Sequence, residues 1–417
     1  MRGRDVACAV LLLGFALVAR GTWFFDHGAS VAGDQLEYHA LAVRLAEGKT
    51  YAGASGQPTA WRTPGLPLAL SVVYRIAGPD PAWGQIALVV FSGLAAPVLY
   101  TLYLALFHDR RVALLVGAVW SFLPFSRRMA GALVCEPLAA LLVALSILAT
   151  VKAQRRNSVI VAALAGGAFG YAVLLRTLLL PAILGPVAWL LLHRTRKLAG
   201  AFVLVLAVLL GGWTLRNWVA LGAPTLSTQT LELWQGNNAW ARGASYGNLE
   251  PHIEALLRNG QTAAAAEASR SDQALQRRYL LSKYPDFNEL GELERSRLFV
   301  REAIFEVLHH PGRFLWLAPR KGALFFSPTS PDLGIDWLYA TMLPLFVVGG
   351  VALTRDVGER KKLLLLVAPV GLVLVGCLVV FGDPRFRLPV EPLMVVTAGF
   401  GVQWLLAGRE QAGVAGA

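Results

Sequence analysis

Apolar runs near bilayer length alternate with short charged loops along most of this chain. They lie at about 6–25, 83–107, 112–130, 137–151, 158–175, 177–192, 198–219, 336–354, 363–381 and 388–407. A helix crossing the hydrocarbon core needs roughly 20 mainly apolar residues. The pattern therefore predicts an all-α polytopic membrane bundle of about ten spans. Two further runs are short and charged: 66–77 carries Arg75, and 312–326 carries Arg320 and Lys321. They are read as juxtamembrane helices at the outer interface. The hydrophilic mass falls in two segments, 26–82 and 220–335. The second shows an Ala-rich helical stretch from Gln261 to Lys283 and another from Glu289 to His310, stopped by Pro311. The chain divides into an N-terminal membrane module (1–219) with its first outer loop (26–82), a helical outer segment (220–335) and a C-terminal membrane module (336–417).

Charge orients this pattern. Arg2 and Arg4 precede the first run, and residues 108–111, 152–157, 193–197 and 354–362 form basic loops. By the positive-inside rule these are cytoplasmic. Both termini are then cytoplasmic, and both large hydrophilic segments are extracytoplasmic. If 66–77 or 312–326 crossed alone, the charge pattern would invert downstream. The composition agrees: 56% of residues are hydrophobic and 15% charged, where a soluble domain is nearer half and a quarter. The net charge of +12 sits mainly in the short loops, so it reads as topology and not as a nucleic-acid face. Cys8, Cys135 and Cys377 form neither a disulfide framework nor a metal-binding spacing. The first run reads as a retained helix, since no small-residue cleavage site follows it.

The candidate chemistry lies at the expected outer ends of the spans. After the first span comes Gly33-Asp34-Gln35-Leu36-Glu37-Tyr38, opening an amphipathic run to Gly48. Asp34 fits a helix N-cap, with Glu37 completing a capping box; a rigidly held carboxylate also suits catalysis. Arg62, within Trp61-Arg62-Thr63-Pro64-Gly65, fits an interfacial anchor or a headgroup contact. Glu136 precedes Pro137 at the mouth of a span, and an acid among apolar residues at a membrane edge points to function. In Gly382-Asp383-Pro384-Arg385-Phe386-Arg387-Leu388-Pro389, an extended backbone would aim Arg385 and Arg387 the same way. Paired guanidiniums suit a phosphate, whether of a substrate or of bulk lipid. Arg176 and Arg216 add outward cations, and Trp234-Gln235-Gly236-Asn237-Asn238 fits either a sugar-binding loop or an ordinary turn. His39, His309 and His310 make no convincing metal site. Walker A, HExxH and GxSxG motifs are absent, which argues against ATP-driven transport and serine hydrolysis.

Acids for an acceptor hydroxyl and arginines for a leaving phosphate suit a lipid-phosphate-linked sugar. The order of these features resembles the GT-C superfamily of membrane glycosyltransferases, and within it glycosyltransferase family 39. That family contains the protein O-mannosyltransferases and the lipid A aminoarabinose transferases. The resemblance rests on Gly33-Asp34 to Gly48, Arg62-Thr63-Pro64-Gly65, Cys135-Glu136-Pro137, Trp213 to Asn217, Gly236-Asn237 and Arg385-Phe386-Arg387-Leu388-Pro389. It implies that Asp34 is the base or acceptor-orienting acid and Glu136 the second acid. It implies that Arg62 stands where the aminoarabinose transferases carry a lysine, and that Arg385 and Arg387 contact the donor phosphate. Glu37, Tyr38, Arg176, Arg216 and Asn237 complete the expected substrate-binding set. The Asp34-Gln35-Leu36-Glu37 motif departs from the adjacent Asp-Glu of the mannosyltransferases, and the spans are fewer, so the acceptor stays open.

The expectation is a transfer of sugar from a polyprenyl-phosphate donor to a glycan, lipid or protein acceptor on the extracytoplasmic face. Asp34 activates the acceptor, and Glu136 supports the site or the developing positive charge on the sugar. Expected partners are the donor, the acceptor and membrane lipid, with no nucleic acid. No cofactor is expected; a divalent metal suits such chemistry, but no ligand spacing supports one. A transporter or flippase of lipid-linked sugars is the alternative.

Overall fold

The computed structural model describes residues 3–27, 31–239, 241–244, 279–330 and 334–415. The expected Ala-rich helix from Gln261 falls almost wholly outside them. In chain order, the first helices are α1 (Gly3–His27), α2 (Asp34–Ala46), α3 (Gly65–Ala77), α4 (Pro81–Phe107), α5 (Arg110–Phe122), α6 (Pro124–Ala130), α7 (Glu136–Arg156), α8 (Val159–Leu175), α9 (Leu184–Leu192), α10 (Arg196–Leu221) and α11 (Leu231–Gln235). Helices Glu292–His309, Pro311–Phe325, Trp337–Arg355, Ala368–Val379 and Glu391–Ala415 follow, with short turns between them. Among the described residues the only sheet pairs Thr329–Ser330 with Gly334–Ile335.

Every apolar run of the sequence is helical. Five helices (α1, α4, α7, α10 and Trp337–Arg355) are long and apolar enough to cross a membrane, or seven if each of two bent pairs is one span. The bends have chemical causes. Helix α5 meets α6 at 58°, where Pro124 forces Leu123 out of helical geometry; Arg360–Leu366 meets Ala368–Val379 at 45°, beside Pro369. The other three expected spans are shorter apolar helices: α8, Thr177–Leu192 and Glu391–Ala407. The runs read as juxtamembrane, α3 and Pro311–Phe325, have 13 and 15 residues, too few to cross the hydrocarbon core upright. The chain is thus an all-α, multi-pass membrane protein.

Burial places α7 at the centre. Of its apolar window 78% is buried, against 22% for α1 and 28% for α10, whose outer faces are left for lipid. Helix α7 packs between α4 and α8. Its alanines keep the backbones close, and Ser146 donates across the interface to the Ala165 carbonyl at 2.8 Å. The 21 residues of α7 separate its ends by about 30 Å. At its C-terminal end the basic loops gather: Arg155 donates to the Ala105 carbonyl, Arg110 pairs with Asp5 at 2.8 Å, and Lys362 donates to the Leu106 carbonyl at 2.6 Å. Glu136 and the other acid–arginine candidates lie at the opposite end.

Candidate active site

Four stretches meet above the N-terminal end of α7. The first is the start of α2. Its N-cap is Gly33, with φ 56° and ψ −127°, a conformation a side-chain-bearing residue resists. Asp34 is therefore the first helical residue and not the cap, and no side-chain capping bond forms. The expected capping box is replaced by ion pairing, so both acids turn to Arg62 while keeping part of their surface exposed. Gln35 ties α2 to the stretch before α7 by accepting from the Leu133 amide at 2.8 Å.

The second stretch is the loop before α3. Tyr51 donates to the Arg62 carbonyl at 2.9 Å, and Thr63 donates to the Leu175 carbonyl at 3.1 Å. Tyr171 of α8 donates to the Gly65 carbonyl at 2.8 Å. These bonds dock the loop on the end of α8, one residue before Arg176. Arg62 is nearly buried and uses every nitrogen: Nη2 to Asp34 Oδ1 at 2.5 Å, Nε to Glu37 Oε2 at 2.6 Å and Nη1 to Gln229 Oε1 at 3.2 Å. Its guanidinium carbon also lies 5.3 Å from the centre of the buried Tyr38 ring.

The third and fourth stretches supply the remaining charges. Glu136 opens α7 with no exposed surface. Its Oε1 accepts from Arg176 Nη1 at 2.8 Å and from Arg385 Nε at 2.5 Å. Arg385 Nη1 reaches Asp34 Oδ2 at 3.1 Å, so one guanidinium bridges the two acids. Arg176 stacks over Phe386 at 4.2 Å. A continuous alternation results: Glu37, Arg62, Asp34, Arg385, Glu136, Arg176. Such charge-assisted bonds are short and strong where water is scarce. Burial alone would raise the Asp34 carboxyl, but the charges and hydrogen bonds of Arg62 and Arg385 outweigh it and hold it below its ordinary range.

Not every expected residue is here. Residues Pro384–Arg387 form a helical turn capped by Asp383, not an extended strand. Residues two apart in a helix face different ways, so Arg387 leaves Arg385. It is buried, pairs with Glu391 at 3.0 Å, donates to the Phe325 and Ser327 carbonyls at 2.9 Å and lies over Tyr339 at 3.6 Å. Arg216 braces the first loop, donating to the Thr59 carbonyl at 2.8 Å and to the Tyr51 carbonyl. Asn237 is a buried joint: its amide donates to the Leu233 and Val379 carbonyls at 2.7 Å and accepts from Lys321 at 2.8 Å. Neither touches the acid–arginine chain.

Several residues in or supporting the site carried no sequence signal. Glu292 ties the first loop to the segment after α10, accepting from Thr59 (2.6 Å), the Ala60 amide (2.8 Å) and Thr228 (2.5 Å). Gln229 links Arg62 to Glu232, donating to Glu232 Oε1 at 3.0 Å. Burial raises the Glu232 carboxyl against the pull of Arg176, Arg385 and Arg62. All sit in ordinary polar sequence, and only the fold brings them to the arginines. Among the described residues, no group of three or more His, Cys, Asp or Glu is placed to hold a metal ion.

No family model and no curated protein sequence matches the chain. Solved structures do. The archaeal oligosaccharyltransferase AglB from Archaeoglobus fulgidus, in complex with an inhibitory peptide and a dolichol-phosphate, aligns over 99% of this chain and 52% of its own, at 13% identity and TM-score 0.54. The oligosaccharyltransferase of the same organism, in complex with zinc and sulfate, aligns over 96% and 49%, at 14% identity and TM-score 0.52. The chain has a GT-C-like fold. It spans about half the length of these two proteins. ArnT from Cupriavidus metallidurans bound to undecaprenyl phosphate aligns over 95% and 76%, at 16% identity and TM-score 0.43.

Proposed function

We propose that this protein transfers a sugar from a polyprenyl-phosphate donor to an acceptor at the extracytoplasmic membrane face. The observation carrying the proposal is the Arg385 bridge, which sets a guanidinium between two acids, Asp34 and Glu136. Support comes from the fold shared with AglB, whose structure contains a dolichol-phosphate. The site's position opposite the basic loops adds further support, because the positive-inside rule then places it outside.

The bonding divides the roles. Arg62 spends three donors on Asp34, Glu37 and Gln229, more than either other arginine, and its role in this reading is to position Asp34. Arg385 spends Nε and Nη1, and Arg176 spends Nη1. A guanidinium has five N–H donors, so both retain donors for the phosphate. As the glycosidic C–O bond breaks, charge develops on that phosphate, and preorganised cations stabilise it. Asp34, held ionised, orients the acceptor hydroxyl.

The test uses purified protein in proteoliposomes, a panel of undecaprenyl-phosphate-linked hexose, pentose and aminosugar donors, and membrane glycan and lipid extracts as acceptors. Released undecaprenyl phosphate with a glycosylated product is expected, and Asp34→Asn should abolish it while the protein stays folded. Intact donor moved to the other leaflet would instead establish flipping.

A further inference from the structure

We infer that Glu232 takes the proton from the acceptor hydroxyl, while Asp34 only orients that hydroxyl. This deepens the glycosyl-transfer reading and rests on it. The argument is one of bonding. Asp34 is clamped on both oxygens by guanidiniums: Oδ1 by Arg62 and Oδ2 by Arg385. Glu37 is bonded by Arg62, and Glu136 is fully buried beneath two arginines. Asp383, whose carboxyl burial also raises, is committed through Oδ1 to the Arg385 backbone amide as the cap of its turn. A carboxylate held by a guanidinium binds a proton poorly, because protonation would break a charge-assisted bond. Glu232 differs. Its hydrogen bond comes from a neutral amide, Gln229, which joins it to Arg62 and so to the same chain.

The surroundings fit that role. The charges acting on Glu232 come from Arg176 after α8, Arg385 before Glu391–Ala415, Arg62 in the first loop and Asp34 on α2. The three arginines lower the carboxyl's affinity for a proton, but burial outweighs them and raises it. Two acids whose environments push their affinities for protons apart divide the labour of a site.

The step balances without another reactant. The acceptor O–H bond breaks and its proton goes to the Glu232 carboxylate. The acceptor oxygen's electron pair forms the new bond to the anomeric carbon. The bond from that carbon to the phosphate oxygen breaks, and its electron pair leaves on the polyprenyl phosphate, held by Arg385 and Arg176. Glu232 then releases the proton to water.

The experiment measures kcat/KM against pH for wild type, Glu232→Gln, Glu232→Asp and Asp34→Asn, with the donor panel and acceptor extracts above. Undecaprenyl phosphate binding is measured alongside. Wild type should lose activity on acidification through a limb above the ordinary carboxylate range. Glu232→Gln should remove that limb and lower turnover by roughly 100- to 10,000-fold, the usual worth of a general base. Its binding of undecaprenyl phosphate should stay within about twofold, since Glu232 makes no phosphate contact. Glu232→Asp should keep a limb at reduced rate. The inference is overturned if Glu232→Gln retains the limb or most of its activity, or if lost phosphate binding accounts for its defect. Wild type that transfers from no donor would defeat the glycosyl-transfer reading itself, and this role with it.

Discussion

Replacing Arg385 separates stability from catalysis at the centre of the site. Its guanidinium bonds Glu136 Oε1 at 2.5 Å and Asp34 Oδ2 at 3.1 Å. Stripping a buried carboxylate of its only partner costs about 3–5 kcal/mol. Here each acid keeps a second cation: Glu136 keeps Arg176 at 2.8 Å and Asp34 keeps Arg62 at 2.5 Å. The loss in Arg385→Met should therefore be nearer that of one charge-assisted bond, about 1.5–3 kcal/mol. The catalytic loss should be larger in effect. Removing one preorganised donor to developing charge costs about 2–4 kcal/mol, or roughly 30- to 1,000-fold in kcat/KM. Arg385→Lys should recover little, because a compact ammonium cannot span both acids as the planar fork does.

The assay is release of undecaprenyl phosphate by reconstituted protein, normalised to folded protein by thermal unfolding in detergent. A folded Arg385→Met with kcat/KM within threefold of wild type would refute the phosphate-binding role. Arg176 shares the same Glu136 oxygen, so combining Arg176→Met with Arg385→Met should destabilise by more than the sum of the single changes, since only the pair leaves Glu136 without a cation.

Arg387→Met should cost on the order of 3–5 kcal/mol of stability by leaving the fully buried Glu391 unpaired, yet leave turnover per folded molecule within a few-fold; thermal unfolding and normalised kinetics read the two effects. Gly236→Ala would set a Cβ 1.7 Å from the Val380 carbonyl oxygen. Backbone on both sides must move, so a loss of about 1–3 kcal/mol or more is expected, with activity falling as α11 shifts; unfolding midpoints and kcat/KM check both. Lys321, with no exposed surface, donates to Asn237 and to the Leu378 carbonyl, and burial lowers its ammonium from 10.5 to about 8. The unfolded chain then binds the proton more tightly, so the penalty is full below about pH 8 and vanishes as pH rises to about 10.5. Relative to Lys321→Met, wild type should gain on the order of 3 kcal/mol across that window, measured by chemical unfolding in detergent.

The bundle was legible because lipid imposes a one-dimensional rule: an apolar run of sufficient length is a helix. All ten runs obey it, and the bends at Leu123 and Val367 fall beside prolines visible in the sequence. Some ends were legible too: the apolar run 158–175 closes with helix α8 at Leu175, where the helix end receives Thr63 and hands the chain to Arg176. The site was legible where a charged residue breaks an apolar context, as Glu136 and Arg385 do.

Local pattern misled in two places. Asp34 has the composition of a cap, but Gly33 alone can take the backbone angles required there, which frees the carboxylate for Arg62 and Arg385. Arg385 and Arg387 look alike in an extended reading, but Asp383 caps a helical turn that sends one to Asp34 and the other to Glu391. Glu232 was beyond reach for a different reason. Nothing in Thr230-Leu231-Glu232-Leu233 departs from an ordinary amphipathic turn. Its significance lies in what its partner is not: an amide where each neighbouring acid of the chain has a guanidinium. An acid's basicity is fixed by its bonded neighbours, and in this site they range from Gln229, three residues before Glu232, to Arg385, 351 residues beyond Asp34.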